Sequence, residues 1–164
     1  MKNTIFSVVM LLLIFSSFSL AQSGEMDEKA GQAVVETSLG FSKIVDLEFD
    51  QALQKVKADL KKEGFGILTE VDVKATMKKK LDIDYRPYHI LGACNPPLAH
   101  KSIQAEPQIG LLLPCKLIVY INEDDQTVVA AVDPVKMMQG VENEDLSKVA
   151  KIVQEKFRKV LTEL

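Results

Sequence analysis

Apolar positions recur along this chain with two periods, and the change from one to the other marks out the elements. Ala33, Val35, Thr37, Leu39 and Phe41 alternate with Val34, Glu36, Ser38 and Gly40. That alternation predicts a strand with one buried face and a bend or bulge at Gly40. From Phe49 the period lengthens. Phe49, Ala52, Leu53, Val56 and Leu60 make one stripe, while Gln51, Lys55, Lys57, Asp59 and Lys61 take the other face. This predicts a helix of about four turns. Glu48 and Asp50 at its start and Lys61 and Lys62 near its end suit the helix dipole, and Gly64 supplies a left-handed stop.

Period two returns at Ile67, Thr69, Val71 and Val73, against Leu68, Glu70 and Asp72. A short helical piece follows over 75–81, with Lys78, Lys79 and Lys80 as a solvated run. Tyr85 to Ala93 reads as a strand ended by Asn95, Pro96 and Pro97, because proline has no ladder donor. Leu98 to Ala105 allows two helical turns. Leu111 to Ile121 is the most apolar strand and is predicted central, with an edge or bulge at Pro114. Asn122 to Asp125 turns the chain, and Thr127 to Val132 returns as its hairpin partner. The closing helix runs from about Asn143 to Leu164. Its stripe of Leu146, Val149, Ala150, Val153, Phe157, Val160, Leu161 and Leu164 must lie on the sheet. The fold class expected is α+β: an antiparallel sheet with helices on one face, in the order β-α-β-β-β-β-α.

Composition adds a compartment. Lys2 precedes an almost unbroken apolar run, Ile5 to Phe15, and Ser19-Leu20-Ala21 offers small residues for cleavage. The organisation expected is therefore a signal peptide over 1–21, a flexible linker over 22–32 and a single α+β domain over 33–164. Export to the periplasm or the extracellular space follows, with no membrane span in the mature chain. The net charge of −3 and the absence of tryptophan argue against a nucleic-acid partner.

Three blocks in order carry a resemblance: Gly64 to Met77, Leu91-Gly-Ala-Cys-Asn-Pro96, and Gly110-Leu-Leu-Leu-Pro-Cys115. Together they resemble the domain-of-unknown-function family numbered 302, over about Ala33 to Leu164. The resemblance implies a strand–helix–four-strand–helix fold like one half of the TATA-box-binding protein, and a homodimer. It does not imply DNA binding, since a fold is shared without its function. It transfers no catalytic residues.

The chemistry with most promise sits on the two cysteines, Cys94 and Cys115, each on a strand and twenty residues of connection apart. Antiparallel pairing of those strands sets them nearly opposite. A disulfide would need Cα atoms roughly 4.4–6.8 Å apart and would stabilise the fold by about 3 kcal/mol. Three other readings stand beside it. The cysteines are a reduced, buried pair; or they form a thiol-redox or ligand site with Asn95, Pro114 and His89; or, with His89 and His100, they bind zinc or copper. The spacing matches no zinc motif, so neither metal nor cofactor is expected. His89 and Cys94 are five residues apart and face opposite ways on a regular strand. Glu70 and Asp72 share a strand face but have no partner that marks an acid–base pair.

The function expected is a small exported ligand-binding or interaction module with a paired-cysteine region and an unknown small ligand. The balance leans against an enzyme. The alternatives are a thiol-disulfide or sulfur-chemistry enzyme using Cys94 and Cys115, and a structural envelope protein.

Overall fold

The computed structural model describes residues 33–164; the targeting segment expected over 1–21 and the linker over 22–32 lie outside the described residues. Among the described residues, β1 (Val35–Glu36), β2 (Gly40–Val45), β3 (Gly66–Asp72), β4 (Tyr88–Cys94), β5 (Cys115–Ile121) and β6 (Thr127–Val132) form one sheet. Its order is β1-β2-β6-β5-β4-β3, and every neighbouring pair is antiparallel. The helices are α1 (Phe49–Lys62), α2 (Val73–Leu81), α3 (Pro96–Ala105), α4 (Pro134–Met137) and α5 (Glu144–Thr162). The α+β class and the antiparallel sheet are as expected. The apolar strand β5 is central.

The apolar stripes do the work the periodicity assigned to them. Leu146, Val149, Ala150, Val153, Phe157, Val160 and Leu161 of α5 are all buried, as are Ala52, Leu53, Val56 and Leu60 of α1. They pack on Phe41, Leu91, Ala93, Leu117, Val119, Val129 and Ala131, which alternate along four strands and share one side of the sheet. Burying each large side chain contributes about 1.5–3 kcal/mol. Asn143 caps α5 by accepting from the amides of Asp145 and Leu146. Gly64 ends α1 at φ +85°, where a side chain would be strained.

Four expectations change. The strand read over Ala33 to Phe41 is instead a short hairpin, with β1 ending at Glu36 and β2 starting at Gly40. The alternation continues unbroken into Ser42, Lys43 and Ile44, so pattern alone could not place its start. Gly40 decides it: a Cβ there would stand 2.0 Å from the Ala131 carbonyl oxygen. The strand read from Leu111 starts only at Cys115, because Pro107–Leu112 wind into a 3-10 turn. The helix read from Leu98 begins at Pro96; the prolines that stop β4 occupy the first turn of α3, where a missing amide proton is harmless. Asp59, assigned by spacing to the exposed face of α1, is buried. Burial pushes its pKa up, but bonds from Lys55 at 2.7 Å and Lys62 at 2.6 Å outweigh that and leave it below the usual range.

The helical piece read over 75–81 is α2, and α4 is a short helix the sequence did not announce. α2 follows the edge strand β3, capped by Asp72, whose carboxylate accepts from the Ala75 amide at 2.8 Å. α4 follows β6, capped by the buried Asp133. No helix among the described residues is long and apolar enough to cross a membrane.

Candidate functional site

The β4–β5 ladder carries the cysteines at one end. Its rungs are Tyr88 with Tyr120, His89 with Val119, Ile90 with Ile118, Leu91 with Leu117, Gly92 with Lys116 and Ala93 with Cys115. Cys115 therefore stands opposite Ala93, and Cys94 is one residue out of register with it. Neighbouring positions on a strand alternate between faces, so this offset works against a bridge. Both thiols are free. No disulfide joins them in this structure.

The two cysteines nonetheless share surroundings. With Asn95, Leu98, Ser102 and Leu113 they line a cavity of about 30 Å³, closed by Phe65 and by Val149 and Val153 of α5. That volume holds about one water molecule. Asn95 accepts from the Leu98 amide at 3.3 Å and so caps α3. Ser102 satisfies its hydroxyl on the Leu98 carbonyl at 3.0 Å. Burial pushes the Cys115 thiol up to about 11, helped by the nearby Cys94 sulfur and only partly offset by Lys116. Burial also raises Cys94. At neutral pH the Cys115 thiolate is on the order of one part in 10⁴.

Of the five residues the sequence singled out, the fold brings Cys94, Asn95 and Cys115 together. Pro114 lies beside them but turns over Gly92, where its Cγ would stand 2.7 Å from an added Cβ and Thr69 Oγ1 only 2.2 Å. Glycine is required at that close approach. His89 is at the far end of β4 and takes no part in the cavity. His100 is exposed on α3. No group of three metal-ligating side chains occurs among the described residues.

His89 has partners that the sequence did not reveal. Its Nδ1–H donates to Glu70 Oε1 at 2.9 Å, its Nε2 lies 3.7 Å from Asp72 Oδ2, and the Phe49 ring meets it edge-on at 5.5 Å. Lys57 of α1 donates to both Glu70 oxygens, at 2.8 and 2.7 Å. These bonds hold the Glu70 carboxyl below its usual pKa, Lys57 having the larger effect, despite partial burial that acts the other way. The equal parity of Glu70 and Asp72 was legible. Their pairing with His89 required the β3–β4 register, in which Asp72 faces His89.

The other end of the same ladder gathers all three tyrosines of the chain. Tyr88 and Tyr120 occupy one rung and stack at 5.4 Å and 28°; Tyr85, on the approach to β4, meets Tyr88 at 6.5 Å and 55°. With Asp84, Arg86, Ile121, Asn122 and Glu123 they line a groove of about 460 Å³. Arg86 is already held by the Asn122 carbonyl and by Asp125 at 3.1 Å. Burial, and then the neighbouring Tyr120 and Tyr85, push the Tyr88 phenol up. Beyond the tyrosines the alternate positions of the sheet remain apolar: Ile44, Val128, Ala130, Ile118, Ile90 and Val71 lie on the side away from the core.

Comparison with known proteins agrees with the three sequence blocks. The family model described as "Domain of unknown function DUF302" matches residues 41–164. The crystal structure of the uncharacterized conserved protein DUF302 from Bacillus stearothermophilus is similar, with a TM-score of 0.70 and 25% identity. The match covers 76% of this chain and 97% of that one. No curated protein matches.

Proposed function

This chain belongs to the DUF302 family, and on that premise we propose that it is a small exported binding or interaction module, working as a homodimer, rather than a thiol enzyme. The observation that carries the proposal is the apolar side of the sheet that α1 and α5 leave uncovered. Ile44, Ala130, Ile118 and Ile90, each partly exposed, lie across four strands with Val128 between them. Five full-length strands spaced about 4.8 Å and about 20 Å long present roughly 500 Å² per copy before side-chain relief is counted. Two copies face to face therefore bury on the order of 1,000 Å², enough for a specific interface. A sheet face with apolar residues at its centre is suited to pairing with another surface.

The cysteine end supports the same reading by what it lacks. Thiol exchange needs a thiolate with access to its target. Here the Cys115 thiol is held at about 11 and the cavity beside it admits little more than a water. The location outside the cytoplasm rests on Lys2 and the apolar run from Ile5 to Phe15.

Light scattering coupled to size exclusion tests the dimer. The expected mass is twice that of one chain, falling to one in Ala130→Lys, which puts a charge in the middle of the face without touching the core. A monomeric native protein with a fast-reacting, low-pKa thiol would return the assignment to sulfur chemistry.

A further inference from the structure

We propose that the tyrosine corner, where β4 begins and β5 ends, binds a small organic cation of the quaternary ammonium class. This goes beyond the module reading and is stated for the single chain, since Tyr88 and Tyr120 share the sheet side proposed to pair two copies.

Three features combine. Aromatic faces attract cations within about 6 Å of the ring centroid. Tyr85 and Tyr88, 6.5 Å apart and inclined at 55°, leave an angle in which one cation is within that reach of both rings, with the stacked Tyr120 behind. The charge balance of the corner is also one-sided. Lys78 is taken by Asp82 at 2.9 Å and Asp84 at 3.1 Å, and Arg86 by Asp125. Among the described residues, Glu123 and Asp124 have no basic side chain within ion-pair distance, and Glu123 lines the groove. Within the groove's own lining an anion would meet Asp84, Glu123 and one cation, Arg86, already held by Asp125; a neutral apolar guest would strip water from Glu123 without compensation. Finally, the groove volume of about 460 Å³ suits a small molecule and is far larger than the cavity at the cysteine end. The tight, strongly hydrated ammonium of a free amine is less suited to this corner than a methylated one, whose charge is spread over an apolar shell.

The chain contains no tryptophan, and its three tyrosines are all here, so intrinsic fluorescence reports this corner alone. The experiment titrates the purified protein with choline and, in parallel, with 3,3-dimethylbutan-1-ol, its neutral carbon isostere. The expected result is a saturable fluorescence change with choline and binding of the isostere weaker by about tenfold or more. Tyr85→Ala should lose about tenfold, Tyr85→Phe should stay within about twofold, and Glu123→Gln should lose a few-fold in a salt-dependent way. Tyr85 is 46% exposed, so removing its ring leaves the fold intact, and an unchanged far-ultraviolet dichroism spectrum verifies this. Equal affinity for choline and its isostere, no saturable response, or full binding by Tyr85→Ala each overturns the proposal. So does a Tyr85→Ala variant that merely turns the dimer into monomers, since the corner would then hold a second copy. Ala130→Lys separates the two readings: monomeric and still choline-binding, it sustains this proposal whatever becomes of the dimer.

Discussion

The two ends of the β4–β5 ladder are built from the same pair of strands and have opposite characters. At the cysteine end, α3 and α5 close over Ala93 and Cys115, and what remains is about 30 Å³ among apolar walls. At the tyrosine end no described helix lines the groove, and aromatic rings and carboxylates border about 460 Å³. The residues that looked most chemical in the sequence are the ones whose thiols burial pushes up. Burial raises a thiol's pKa and removes the thiolate. The tyrosines, ordinary in the sequence, are gathered by the β4–β5 register and the approach to β4 into one aromatic cluster. Reactivity depends on the surroundings of a side chain more than on its type.

The comparison can be broken most severely from the shared middle. Leu91 is fully buried between the two ends. Leu91→Ala should destabilise by about 2–5 kcal/mol, read from the urea midpoint. A loss under about 1 kcal/mol would mean the helices are not seated on this ladder as described.

The cysteine end is sharpened by alkali. A thiol raised in the folded state favours folding fully below its unfolded pKa and loses that contribution as pH climbs through the folded value. Cys115 goes from 9.0 to about 11. Stability should therefore fall by up to about 3 kcal/mol across that window. Cys115→Ala should abolish this part of the decline. The same slope in wild type and variant would show that the thiol is not buried.

The acid side tests the β3–β4 edge. Glu70 is held below its usual pKa, so its contribution is present above the unfolded value and fades as pH falls through the folded one. Glu70 is solvent-accessible, which limits the effect to below about 1 kcal/mol. Glu70→Gln should flatten the acid limb of the stability profile slightly, with little change at pH 10 beyond the lost bond to Lys57.

The smallest effect belongs to the tyrosine end. Tyr85→Ala should shift stability by less than about 0.5 kcal/mol, since its ring is largely in water. A large loss in thermal denaturation would make the corner a packing element and remove the contrast between the ends.

Much of the architecture was legible along the chain. The span Thr127–Val132, the start of α1 at Phe49 and the cap of α5 at Asn143 stand where period and capping chemistry put them, because each depends on neighbours within a turn or two. Gly64 was readable as a helix stop for the same reason. The start of β2 was not, because it depends on the Ala131 carbonyl pressing against Gly40 from another strand. Neither was the disarming of Cys115, which depends on α5 closing from far along the chain. The cysteines were readable as a pair on adjacent strands, but not their one-residue offset.

Local periodicity, capping and composition thus determined the element types, the antiparallel α+β class and the export expectation, and three short sequence blocks carried the family resemblance. Those properties are set by side chains a few residues apart, whose interactions the chain order itself supplies. Register, burial and the meeting of Tyr85 with Tyr88 and Tyr120, or of His89 with Glu70, were decided only in three dimensions. Each is a contact between distant segments, and shifting a strand by a single residue would turn every one of those side chains to the opposite face.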